Sequence, residues 1–369
     1  MTPEPTRPDW VPAGAGEGFA THLVPAAPAG SPGAPPRRRR LQGAAELAEA
    51  IRAGDRTALA RGITLIESRA AAHRTEAGDL LARLAPFAGG ARRVGITGVP
   101  GAGKSTFIDA LGVALCDRGH QVAVLSVDPS SPVSHGSILG DKTRMERLGR
   151  RAEAFIRPSP SGCELGGVAR RTRESITLCE AAGFGVVLVE TVGVGQSEVL
   201  VREMVDCFLV LLIAGAGDEL QGIKKGIIEL ADVLAVNKAD GDNRPRAEAA
   251  RLEFQRALHY LSVEEGAWTP PVLTCSAREG GGVDGVWAAV ERFFAHGAAG
   301  GLEARRRSQA QAWLDSLVNE GVRELFARRP DLAALRAELE VQVGAGLMPA
   351  PVGAQRLLAA LGLGPEKAR

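Results

Sequence analysis

Residues 94–106 read VGITGVPGAGKST, and within them Gly98, Gly103, Lys104 and Ser105 stand at the spacing of a phosphate-binding loop. No other string in the chain constrains the fold as much. Val94 to Thr97 is a short apolar run of strand type. The glycines let the backbone wrap a phosphate without Cβ clashes, and a helix opening near Ser105 would aim its unpaired N–H groups inward. Gly98, Val99, Pro100, Gly101, Ala102, Gly103 and Thr106 are therefore expected to line a nucleoside triphosphate. Lys104 would reach the β- and γ-phosphates, and Ser105 would ligate magnesium.

The rest of the chain agrees with an α/β sheet. From Val94 to about Phe294, short β-rich runs (VGIT, QVAVLSVD, AFIRP, VVLVET, CFLVLLIA, VLAVNK and PVLTCSA) alternate with helical stretches. Runs apolar throughout are what a parallel sheet covered on both faces requires. Between Ala44 and Leu84, Leu47, Ile51, Leu59, Ile63, Leu65, Leu80, Leu81 and Leu84 recur at helical spacing, with a break at Gly54 and Asp55. After Gly301 the pattern is purely helical, with apolar stripes through Trp313, Leu317, Val318, Leu325 and Phe326 and then Leu332, Leu335, Leu339 and Val343. Such a tail has little core of its own and is expected to pack on a neighbour or a second copy. The expected organisation is a Pro/Arg-rich disordered leader over 1–41, a helical extension over 42–90, a P-loop domain over 91–297 and a helical C-terminal region over 298–369.

Composition narrows the partners. With 44 basic and 43 acidic residues the net charge is +1, which gives no electrostatic argument for nucleic acid or a membrane surface. The apolar stretch from Cys207 to Gly217 is flanked by Asp206 and Asp218, is too short to span a bilayer, and reads as a buried strand. Cys116, Cys163, Cys179, Cys207 and Cys275 are widely spaced and mostly set in apolar runs, as buried thiols of a reducing compartment would be. The run Arg37 to Arg40 raises a transit peptide, but arginine outnumbers lysine throughout the chain, so a cytoplasmic location is expected.

A second motif, Asn237-Lys238-Ala239-Asp240, follows the strand VLAV. At a strand's carboxyl end Asp240 can accept from both the ring N–H and the exocyclic amine of guanine, a donor pair that adenine lacks, so GTP and GDP are the expected nucleotides. Asn237 would brace the P-loop or the base edge, and Lys238 would lay its stem on the purine. The backbone at Ser276, Ala277 and Arg278, after the strand PVLT, would meet the guanine oxygen. Magnesium needs oxygen ligands beyond Ser105, and Asp128, Asp141 and Glu190 all fall at or beyond strand carboxyl ends, where an open α/β sheet places its ligands. Lys104, Glu190 and Asp128 form the expected catalytic set. Three segments read as candidate nucleotide sensors: Asp128 to Arg147, Gly193 to Glu198, and the glycine-bearing loop that opens at Gly217.

These strings, together with GDRTALARGITLIES at 54–68, GSILGDKTRM at 136–145, LGGVARRT, ETVGVGQSE and GDELQGIKKGIIELAD, resemble one family closely: the methylmalonyl-CoA-mutase-associated GTPases of the MeaB/ArgK group. The resemblance runs over about residues 44–330. It implies a homodimeric G protein with a mostly parallel sheet, a helical N-terminal extension and a C-terminal dimerisation arm. It also implies a chaperone for an adenosylcobalamin-dependent acyl-CoA mutase, in which GTP hydrolysis gates cofactor delivery by a cobalamin adenosyltransferase and protects the mutase. By the same resemblance Asp128, Asp141 and Glu190 are the magnesium-associated acids, and the stretch from Gly217 to Lys224 is a third switch. Cys163 and Glu164, before LGG, depart from the small or hydroxyl residues usual there.

Three other classes fit parts of the pattern. A nickel-insertion GTPase would share the fold and motif order, but His120, His135 and Cys116 are poorly spaced for a soft-ligand site. A kinase linked to basic amino-acid transport would use ATP, against which Asp240 argues. A pure GTP-binding module fits the motifs as well as an enzyme does. No arginine finger or activating base stands out, although Arg144, Arg147, Lys224 and Lys225 are available, so slow intrinsic turnover is expected.

Overall fold

The computed structural model describes residues 43–68, 70–127, 144–158, 165–191, 197–215, 225–259 and 268–362. Asp128, Asp141, Cys163 and Lys224 lie outside these residues, as do residues 1–42.

The described strands are β1 (Arg92–Gly98), β2 (Val122–Val127), β3 (Ala154–Arg157), β4 (Val186–Thr191), β5 (Cys207–Ile213), β6 (Val233–Asn237) and β7 (Val272–Thr274). They form one sheet in the order β3-β2-β4-β1-β5-β6-β7, with every neighbouring pair parallel. Each run expected from the sequence is therefore a strand. The order reverses around β1 and β4, and the crevice above their carboxyl ends is where such sheets hold ligands.

Burial divides the core by strand parity, as a sheet covered on both faces requires. Ala123, Leu125, Val187, Val189, Phe208 and Val210 face one half of the core, with Leu47, Ile51, Leu59, Ile63, Leu80 and Leu84 of the N-terminal helices packed into it. Val122, Val124, Val186, Leu188, Leu209 and Leu211 face the other half, under Phe107, Ile108 and Leu111 of the helix after β1 and under Trp287 and Val290 of the helix Val283–Gly297.

The N-terminal helices are α1 (Ala44–Arg52), α2 (Arg56–Glu67) and α3 (Ala71–Leu84). The break between the first two falls where Gly54 and Asp55 predict it. Asp55 caps α2, its carboxylate accepting from Thr57 N and Ala58 N. Beyond the sheet the chain is helical over Gly301–Arg328, Pro330–Gly344 and Ala350–Ala360. No described helix is long and apolar enough to cross a membrane. Cys116, Cys179, Cys207 and Cys275 are buried free thiols, and burial pushes the Cys275 thiol up to about 12.

Candidate nucleotide site

The loop after β1 is shaped by two glycines. Gly98 has φ +152, and a Cβ there would stand 2.2 Å from the Leu211 carbonyl oxygen of β5. Gly103 has φ +86, and its Cβ would stand 2.8 Å from Asn237 Nδ2. Only glycine allows the loop to run this close to both strands. Helix α4 (Lys104–Asp117) then opens with Gly103 as its N-cap, so the orphan N–H groups of its first turn face the crevice.

Lys104 lies over this loop, its Nζ donating to the carbonyls of Gly98 (2.8 Å) and Val99 (3.4 Å). Burial lowers its pKa, an effect that the charges of Glu190 and Glu198 partly offset. Ser105 Oγ donates to Glu190 Oε1 at 2.8 Å, and Glu190 is 3% exposed, so the sequence-predicted metal hydroxyl and one predicted acid stand together. Thr191 Oγ1 donates to Thr97 Oγ1 at 2.8 Å, which ties the ends of β4 and β1 beneath the loop. Pro100, Gly101 and Thr106 lie exposed along the loop and its first helical turn, whereas Ala102 is buried.

The second half of the site hangs on Asn237, which is 1% exposed. Its Nδ2 donates to the Ala102 carbonyl (2.7 Å), and its Oδ1 accepts from Ala277 N (3.0 Å), so one side chain joins the phosphate loop to the loop after β7. Of the two roles the sequence left open, bracing the P-loop has a contact in the structure, the bond to the Ala102 carbonyl. Lys238, next in the chain, takes φ +61, the only described non-glycine residue with positive φ, and its side chain is exposed. Asp240 Oδ2 accepts from Ser276 Oγ at 2.6 Å, and that hydroxyl accepts in turn from Glu279 N at 3.1 Å. The relay fixes the Asp240 carboxylate at the carboxyl edge of the sheet. Arg278 is exposed on the same turn.

The profile of the family described as methylmalonyl Co-A mutase-associated GTPase MeaB matches residues 59–331. This chain belongs to that family.

It is 57% identical to a Caulobacter vibrioides relative over 84% of this chain and 95% of that one. It is 44% identical to the mouse protein named methylmalonic aciduria type A homolog, mitochondrial, over 83% of this chain and 77% of that one. Among solved structures, one described as an LAO/AO transport system kinase is similar at 40% identity with a TM-score of 0.70, over 86% of this chain and 97% of that chain. The chain is accordingly a P-loop GTPase of the MeaB family.

Three features of this MeaB-family GTPase escaped the sequence reading. The first is Asp109, one turn beyond Ser105 on α4 and 6% exposed, which accepts from Arg147 Nε and from Leu148 N, both at 2.8 Å. It fastens the stretch that follows residues 128–143 to the phosphate helix, and Leu148 packs where a Cβ on Gly112 would stand. Arg147, considered above for catalysis, is thereby held as an ion-pair partner of Asp109.

The second is Glu198, 3% exposed in the first turn of the helix Ser197–Arg202, whose charge acts on Lys104. In the sequence it stands only as the end of the candidate sensor Gly193 to Glu198, with no effect on Lys104 read from it.

The third is a network at the opposite edge of the sheet. Arg306 pairs through two nitrogens with Asp206, which is fully buried, and also donates to the carbonyls of Gly89 and Ala91. Arg305 pairs with Asp232, which Arg202 also meets. Two adjacent arginines thus root the helix Gly301–Arg328 in the acids that immediately precede β5 and β6. Arg173 extends the contact, lying 5.0 Å over the Trp313 ring, and burial lowers its pKa to about 10.

Among the described residues no group of three or more His, Cys, Asp or Glu is placed to hold a metal ion.

Proposed function

We propose that this MeaB-family GTPase binds GTP with magnesium and couples its hydrolysis to the loading and protection of an adenosylcobalamin-dependent acyl-CoA mutase. The Ser105–Glu190 hydrogen bond carries the magnesium reading, because a hydroxyl and a carboxylate meeting at the mouth of a P-loop are hard oxygen donors of the kind that cation takes. Ser105 and Glu190 would hold it with Asp128 and Asp141. When bound, magnesium supplies charge neutralisation on the phosphate oxygens during phosphoryl transfer.

The chain's own residues do the rest. The N–H groups at the head of α4 and Lys104 bind the phosphates, Asp240 selects guanine, and Asn237 keeps the two halves in register. Slow turnover that a partner accelerates is part of this reading.

The mutase assignment draws on the family's own description and on the likeness to the mouse protein. Steady-state hydrolysis measured with and without a cobalamin-dependent mutase, in parallel with co-elution, tests it. Faster turnover and a complex are expected, and an unchanged rate with no complex would sink the partner. Adding a cobalamin adenosyltransferase to the same mixture tests cofactor gating. Competition between GTP and ATP separates this reading from the kinase role named for the similar solved structure, because equal affinities would overturn the guanine assignment.

The same reading includes a homodimer through the C-terminal region. Leu314, Val318 and Leu325 on Gly301–Arg328 share one helical stripe and are 62%, 56% and 49% exposed, an apolar face that a second copy would cover. Light scattering on Leu314→Glu and Val318→Glu variants should report monomers.

A further inference from the structure

Ser126, near the end of β2, is 3% exposed, and its hydroxyl oxygen has no hydrogen-bond partner in the structure. Interior hydroxyls are nearly always paired, so one left empty calls for a partner that binds there. Its place in the sheet says what kind. Ser126 is in direct register with Glu190 on the neighbouring strand. Val122 and Val124 of β2, and Val186 and Leu188 of β4, face the half of the core beneath α4, and by strand alternation Ser126 and Glu190 face the same way. Glu190 in turn holds the Ser105 hydroxyl. Three oxygen-bearing side chains thus share one end of one face, two of them bonded to each other and the third empty.

A neutral hydroxyl beside a carboxylate suits a water molecule, and magnesium characteristically keeps several waters when it binds. We propose that Ser126 is a metal-positioning residue, its hydroxyl hydrogen-bonding a water of the magnesium shell next to Glu190. The inference rests on the magnesium reading above and deepens it. It makes the end of β2 part of the proposed cation site through the Ser126 side chain. It also gives a use to a buried hydroxyl that, unpaired, costs stability relative to alanine.

The test uses full-length protein loaded with GDP and stripped of metal, titrated with Mn2+ while the free ion is read by electron paramagnetic resonance. Ser126→Ala should weaken Mn2+ binding about tenfold, the range seen when groups behind a metal's direct ligands are removed, and Ser126→Thr should restore it. GDP affinity in EDTA should be the same in all three proteins, and in EDTA the melting temperature of Ser126→Ala should equal or exceed that of the parent. Parent-like Mn2+ binding by Ser126→Ala overturns the proposal while leaving the magnesium reading intact. A lower melting temperature in EDTA overturns it too, by showing a structural role. Failure of the parent GDP complex itself to bind Mn2+ removes the magnesium reading beneath it.

Discussion

Ser105 Oγ donates to Glu190 Oε1 across 2.8 Å, binding the first turn of the phosphate helix to the end of the interior strand β4. Glu190→Gln keeps the shape of this contact and removes its charge. Hydrolysis should fall by roughly 10–100-fold, as for groups that orient a metal's ligands. GDP affinity in EDTA should stay within about threefold, because no phosphate or base contact changes. Single-turnover rates and fluorescent-GDP titrations check the two halves.

In the site proposed above, Asp240 reads guanine as an acceptor. Asp240→Asn offers a donor at the same place, so it opposes guanine and favours a purine with a carbonyl at that edge. GTP affinity should drop by about 10²–10⁴-fold, because one charged acceptor becomes a donor facing a guanine donor and the other bond loses its charge, at ~1.5–3 kcal/mol each. Xanthosine triphosphate should bind more tightly than GTP. A variant that still prefers GTP would refute the assignment.

Asn237→Ala should act on stability as well as on binding, since it strands the buried Ala102 carbonyl and Ala277 N–H. A loss of about 2–4 kcal/mol is expected from two unsatisfied groups. Chemical denaturation of the nucleotide-free protein measures it directly.

Lys104 gives a result of opposite sign. Burial lowers its pKa, so the folded protein holds this proton less readily than the unfolded chain does. The charged ammonium therefore costs stability at neutral pH, and the cost fades as pH rises through the lowered pKa towards the ordinary lysine value. Lys104→Met should raise the melting temperature of the nucleotide-free protein by roughly 2 °C at pH 7 while abolishing hydrolysis. Thermal scans across alkaline pH should show the advantage shrinking.

Arg306→Ala leaves the fully buried Asp206 without its bidentate partner. A penalty of about 3–5 kcal/mol is expected, the usual result of orphaning one member of a buried pair. Asp206→Asn in the same chain should recover part of it, as a double-mutant cycle would reveal.

The parts of this molecule legible in the sequence are those written in local strings. The P-loop, the strand runs and Asn237-Lys238-Ala239-Asp240 each carry their geometry within a few residues, and β1, β6 and the start of α4 stand where those strings predict. Glu190 could be singled out because a lone carboxylate at the end of an apolar strand is costly without a partner. Asp109, Asp206 and Asp232 could not, because a carboxylate early in a helix or ahead of a strand looks like a cap. Their partners are remote: Arg147 is 38 residues from Asp109, and Arg306 is 100 from Asp206. The register that sets Ser126 beside Glu190 likewise arises only once β4 inserts between β2 and β1.

That insertion has a consequence for the order in which the chain can mature. Because β4 lies between β2 and β1 in the sheet, those two strands emerge from synthesis before the strand that joins them, which comes only with residues 186–191. The half of the site built on Asn237 and Asp240 comes later still, ending with the turn at Ala277. A nascent chain that has passed the P-loop thus carries its phosphate motif for well over a hundred residues before it can close around a nucleotide. At synthesis rates of ~5–20 residues per second, this leaves a window of about ten to thirty seconds in which exposed strand edges depend on protection by other factors. GTP, arriving only afterwards, would act as a seal on a finished protein.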